Sequence, residues 1–144
     1  MKTVNEMKLS FPSKSCNEAF ARSAVSAFIM NLDPTLNELS DLKTAVSEAV
    51  TNCIVHGYRR GGGTIFLNGK ITQDDLVILK IRDRGCGIED VEKAMQPLFT
   101  TAADEERAGL GFAVMQSFCD RVRVRSAPDK GTTVTLEKQI GGDE

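Results

Sequence analysis

Glu48, Asn52 and His56 stand four residues apart, so on a helix they fall on one stripe. A carboxylate and an amide one turn apart, beside an apolar face, can serve a cation and a nucleophile together. The Asn oxygen suits Mg²⁺, which takes its remaining ligands from water and phosphates. The Glu can accept a proton from an attacking hydroxyl. The same spacing also fits the solvated side of an ordinary amphipathic helix. His56 is the single histidine, and its place before Gly57 reads as capping or packing rather than catalysis.

Three further clusters carry chemistry. Asp83-Arg84-Gly85-Cys86-Gly87 closes an apolar strand with a carboxylate that can accept from a ligand amine. Its glycines let a backbone approach closely, though an ordinary turn has the same composition. Gly109-Leu110-Gly111 reads as a glycine-rich helix start, whose exposed N–H groups and dipole suit phosphate. Thr100, Thr101 and Arg107 lie just upstream as further phosphate partners. Gly131-Thr132-Thr133 opens a β-branched strand whose hydroxyls could face the same pocket.

These clusters need elements to hold them. Residues 8–12 read as a short strand ended by Pro12, because Leu9 and Phe11 alternate with Ser10. Residues 17–31 read as a helix with Phe20, Ala24, Ala27 and Phe28 on its apolar face. Asp33-Pro34 pre-sets a second helix over about 35–56, with Leu39, Leu42, Val46, Ala49, Val50 and Cys53 inward and Gly57 as its stop. Residues 64–71 and 76–82 form an antiparallel hairpin. A short helical segment spans about 89–95, a loop 97–107, and a helix 109–120. Strands at 121–125 and 131–138 complete the chain, the first alternating Arg121, Arg123 and Arg125 with valines. That arginine row reads as a solvated strand face, with contact to an acidic partner as the alternative. The order predicts a mainly antiparallel sheet with helices on one face.

The 144 residues fit one domain, and 41% hydrophobic with 26% charged is a globular balance. Eighteen basic and twenty acidic side chains give a net charge of −2, which lacks the electrostatic footprint of a nucleic-acid binder. No apolar run reaches the roughly 18 residues of a membrane span, and no signal peptide is apparent, so a cytoplasmic protein without membrane contact is expected. Cys16, Cys53, Cys86 and Cys119 are scattered, without metal-ligand pairing, and are expected as free thiols.

The order of the clusters is more specific than any one of them. Glu-x-x-x-Asn on a helix, strand-Asp-x-Gly-x-Gly, loop-Gly-x-Gly-helix, then Gly-Thr-Thr resembles the GHKL ATP-binding family. No GxxxxGK[ST] loop, no GxGxxG after a strand and no HRD or DFG segment points elsewhere. Residues 32–58, QPLFTT at 96–101 and ERAGLGF at 106–112 are similar to the bacterial anti-sigma serine kinases, and the likeness runs over about 4–138.

The resemblance implies one GHKL (Bergerat) domain over 1–144: an α/β (α+β) two-layer sandwich, with a mainly antiparallel mixed sheet, helices on one face and an ATP lid near 97–110. It implies ATP or ADP as ligand, Asn52 as the Mg²⁺ ligand and Glu48 as general base on a partner serine. Asp83, assisted by Thr133, would hold the adenine amine, with Gly85 and Gly87 against the base. Thr100, Thr101, Arg107, Gly109 and Gly111 would line the phosphates. Arg22, Glu106 and Arg107 would touch protein partners. Those partners would be a sigma-F type sporulation sigma factor and a serine-phosphorylated anti-anti-sigma protein, bound by a homodimer without direct nucleic-acid contact. The alternatives are a non-catalytic, nucleotide-gated binding module, or the same kinase in a stress-response sigma pathway.

Overall fold

A computed structural model describes residues 2–95 and 103–141, with the backbone alone over 103–109. The first strand, β1 (Thr3–Pro12), starts five residues before the sequence expectation. Helix α1 (Asn17–Ile29) follows, then a single 3₁₀ turn, Met30–Leu32. The buried face of α1 is Ala21, Val25 and Ile29, not the Phe20 face read from the sequence. Phe20 is 46% exposed and sets its ring edge-on to Phe11, at 5.8 Å. The largest apolar side chains misled the sequence reading: small Ala21 takes the inward position on α1, and the seam is rotated by one position.

Helix α2 (Leu36–Asn52) begins where the sequence predicts and for a visible reason. Asp33, at φ 52°, ends the preceding turn, and Thr35 caps the helix. The Glu38 N–H donates to Thr35 Oγ1 at 3.0 Å while the Thr35 N–H donates to Glu38 Oε1 at 2.9 Å, a reciprocal capping box. Glu38 Oε2 also accepts the Gly141 N–H, and these backbone donors hold its carboxyl below the ordinary value. After Asn52 the α-helix gives way to one π turn, Cys53–Gly57. Such a widened turn often marks a site, because it re-aims side chains without ending the helix.

Strands β2 (Thr64–Thr72) and β3 (Leu76–Asp83) form the expected hairpin. A short helix α3 (Val91–Ala94) is capped by Asp90. Helix α4 (Ala103–Phe118) starts six residues before the predicted position. Residues 103–108, Ala-Asp-Glu-Glu-Arg-Ala, are mostly strong helix formers and carry the helix through both glycines. Gly109 and Gly111 therefore lie inside α4 rather than opening it.

Strands β4 (Arg121–Ser126) and β5 (Thr132–Gln139) complete one sheet in the order β1-β2-β3-β5-β4, antiparallel at every described pairing. Its inner face, including Leu67, Leu79, Ile81 and Leu136, meets Leu42, Val46 and Val50 of α2 and Phe112 and Met115 of α4 in one core. The helices cover that face alone, so the arrangement is the predicted two-layer sandwich.

Candidate functional site

A cleft of about 1390 Å³ opens between the end of α2, the π turn, the loop after β3 and α4. Asn52, Cys53, His56, Gly57, Asp83, Cys86, Gly87 and Thr132 are among its lining residues. Three sequence clusters thus meet in one place, although more than seventy positions of chain separate Asn52 from Thr132.

Asp83 is its most unusual group. It is a carboxylate only 3% exposed, at the last inward position of β3. Burial raises its pKa above the ordinary carboxylate value. The Gly85 N–H (2.9 Å to Oδ1), the Cys53 thiol and the Thr132 N–H pull the other way by donating to the ionised form. Gly57 permits this placement, because a Cβ there would sit 2.5 Å from Asp83 Oδ2. Gly87, at φ +74°, lets the loop turn back against Ala127.

Cys53 and Gly57 join this site by a route the sequence does not advertise. Cys53 reads as one more apolar position of the helix, and Gly57 as its stop. The π turn swings both toward Asp83. Burial, first, and the nearby Asp83 charge keep the Cys53 thiol protonated well above its ordinary range, so it acts as a donor.

Thr132 stands beside Asp83, the place expected of Thr133. Asp83 pairs across the sheet with Thr132, and Arg82 with Thr133. Side chains alternate along a strand, so Thr132 shares the cleft side with Asp83. Thr133 lines a separate hollow on the outer face of the sheet. The alternation of residues 131–138 carries that signal once the strand pairing is known.

Asn52 is half-buried at the end of α2, and its Nδ2 has no hydrogen-bond partner among the described residues. Gly111 of α4 faces it, with room for a Cβ only 3.3 Å from Asn52 Oδ1. Glu48 lies one turn back on α2, half-buried and outside the residues lining the cleft. Cys86 lines the cleft, its thiol donating to the His56 carbonyl at 3.1 Å, and interaction with Cys86 raises the Arg59 guanidinium pKa. All four cysteines are free.

Several expected residues fall elsewhere. Thr100 and Thr101 lie outside the described residues, as do the side chains of Glu106 and Arg107. Gly109 is known here only as part of α4. The expectation that Gly109 and Gly111 open a helix is corrected: both lie within α4, which begins at Ala103. Arg22 sits on α1 with its side chain 41% exposed, paired to Glu18 at 3.5 Å.

The donor set fits a nucleotide with a hard cation. Among the described residues no group of three His, Cys, Asp or Glu could cage a metal. A single amide lining a cleft is enough for Mg²⁺ when phosphates and waters supply its other ligands. The buried carboxylate at the far end, with a glycine beside it, suits a flat base carrying an amine.

Residues 11–138 match the histidine kinase-like ATPase domain family. The whole chain is 56% identical to the Anti-sigma F factor of Thermoanaerobacter sp. (strain X514), over 100% of both chains. This chain belongs to the histidine kinase-like ATPase family, on its anti-sigma F factor branch. The Geobacillus kaustophilus Anti-sigma F factor is 52% identical, over 94% of this chain and 93% of its own. In structure, the RsbU and RsbW domains of a Mycobacterium tuberculosis protein align with a TM-score of 0.68 at 18% identity, over 95% of this chain and 33% of that one. That likeness bears on the fold. Family membership implies that the domain binds a nucleotide. No helix among the described residues is long and apolar enough to cross a membrane.

Proposed function

We propose that this protein is an anti-sigma factor that holds a sigma-F type sporulation sigma factor. As an ATP-dependent serine kinase, it also phosphorylates and thereby inactivates an anti-anti-sigma antagonist. The observation that carries the reading is the Asn52–Asp83 cleft, in a chain 56% identical end to end to an Anti-sigma F factor.

Asp83 accepts from the adenine amine, oriented by the Gly85 N–H and the Cys53 thiol. Asn52 holds Mg²⁺, which when bound supplies charge neutralisation for the phosphates. Glu48 accepts the proton of the partner serine as its oxygen bonds to the γ-phosphorus and ADP leaves. Thr100, Thr101 and Arg107 close over the phosphates, with Gly109 and Gly111 permitting close approach. Gly85 and Gly87 back the base. Arg22, Glu106 and Arg107 meet the partners, on a cytoplasmic homodimer.

A second reading, a nucleotide-gated binding module without catalysis, draws on Glu48 standing back from the cleft lining. Intact-mass analysis of the antagonist after incubation with Mg-ATP separates the two. The kinase reading expects one added phosphoryl group on serine, absent with Glu48→Gln although that variant still binds ATP. No added mass with wild-type protein that binds ATP refutes it.

A further inference from the structure

The outer face of the sheet, away from the helices, carries a basic hollow that the nucleotide reading leaves unused. It measures about 400 Å³ and is lined by Arg82, Arg84, Arg125, Lys130, Ser126 and Thr133, with Asp83 adding main chain while its buried carboxylate lies beside Gly57. Arg82 and Arg125 both pair with Thr133, from the strands on either side of β5. Their backbones are thus two strand spacings apart, roughly 10 Å, which leaves room for a carboxylate between two guanidinium groups.

Two observations show that this charge is available. Among the described residues no carboxylate lies within salt-bridge distance of Arg82, Arg84, Arg125 or Lys130, although Arg123 and Lys70 on the same face are paired, to Glu137 and Glu6. Arg82 and Arg84 are also pre-oriented, their guanidinium carbons 5.2 and 4.6 Å from the centre of the Phe66 ring. All four cations are exposed, on a chain whose net charge is −2.

We infer that this hollow docks an acidic segment of a partner protein, reading Asp or Glu side chains with Arg82, Arg84, Arg125 and Lys130. A second copy of the same face is disfavoured because it brings like charges together. A nucleic-acid strand is disfavoured because two guanidinium groups already stand over Phe66, the aromatic ring beside the hollow, and compete with a base for that ring. Strand β4 lies at the sheet edge beside the hollow, so an extended acidic segment has a backbone to run along.

The test is fluorescence anisotropy of the intact protein with fluorescein-labelled hexaglutamate, and with labelled twelve-residue oligothymidine. Arg82→Gln/Arg125→Gln should weaken hexaglutamate at least tenfold, whereas Lys8→Gln/Lys14→Gln, the same charge change elsewhere, should shift it less than twofold. Lys130→Gln, in an exposed turn, should weaken it at least threefold and decides the matter if the double variant loses its circular dichroism. Equal losses in both double variants would reduce the effect to bulk charge and overturn the assignment. So would tighter binding of oligothymidine, displacement of hexaglutamate by equimolar inorganic phosphate, or no hexaglutamate binding at millimolar concentration.

Discussion

Replacing Asp83 by asparagine removes one charge from the cleft while keeping the shape of the side chain. The Gly85 N–H, the Thr132 N–H and the Cys53 thiol all donate to the Asp83 carboxylate. An amide has one acceptor oxygen with two lone pairs, which the Gly85 and Thr132 N–H groups will claim, while the Cys53 thiol, a weak donor, gives up its bond. The amide NH₂ then turns to the cleft, where an adenine amine would meet a donor instead of an acceptor. A hydrogen bond to a charged group is worth about 1.5–3 kcal/mol, so ATP and ADP should bind roughly tenfold to a hundredfold more weakly. The fold should not suffer. Burial is the dominant influence on Asp83 and raises its folded pKa above the unfolded value, so the protonated form is the better folded one. Stability from this group therefore falls as pH rises through the window from the unfolded to the raised folded pKa. The amide is neutral throughout, so its unfolding midpoint at pH 7 should be no lower than that of the wild type. Isothermal titration with ADP, beside thermal unfolding followed by circular dichroism, reads both quantities. Affinity within twofold of wild type in a folded variant would remove Asp83 from base recognition. A collapse in stability would mean that its charge is structural.

Nucleotide affinity should also fall on acidification through the raised Asp83 pKa, and Asp83→Asn should flatten that slope; the same slope in wild type and variant would mean that another group titrates. Gly57→Ala places a methyl group against the Asp83 carboxylate and should weaken ADP at least as much as Asp83→Asn, measured by the same titration. Thr35→Ala removes half of the capping box and should cost about 1 kcal/mol in urea unfolding, with ADP affinity unchanged. Maleimide on Cys86, in a Cys16→Ser background because Cys16 is exposed, should reduce nucleotide binding; unchanged affinity at full modification places the thiol outside the ligand's path.

Local signals in the sequence determined the elements and most of the site's members. Thr35 and Glu38 start α2 by a reciprocal bond closed within four residues, so no distant partner is needed to predict it. The β2–β3 hairpin follows from alternation and a short turn. Asn52 one turn after Glu48 on a helix and Asp83 closing a strand are likewise visible in the spacing alone. Tertiary structure decided which way the neighbours of these residues face. Thr132 rather than Thr133 looks into the cleft because β5 pairs with β3 at Asp83↔Thr132, a register that a two-residue period cannot choose by itself. The inward face of α1 is set by small Ala21 facing the core, a choice to which side-chain size in the sequence is blind. Helix α4 runs through Gly109 and Gly111 because its preceding six residues and its Phe112–Met115 face outweigh the roughly 1 kcal/mol cost of each glycine. The Cys53 thiol reaches Asp83 through a π turn that depends on packing around it. The basic hollow exists for the same kind of reason. Arg82 and Arg125 lie 43 positions apart in the chain and become near neighbours only because β5 inserts between their strands.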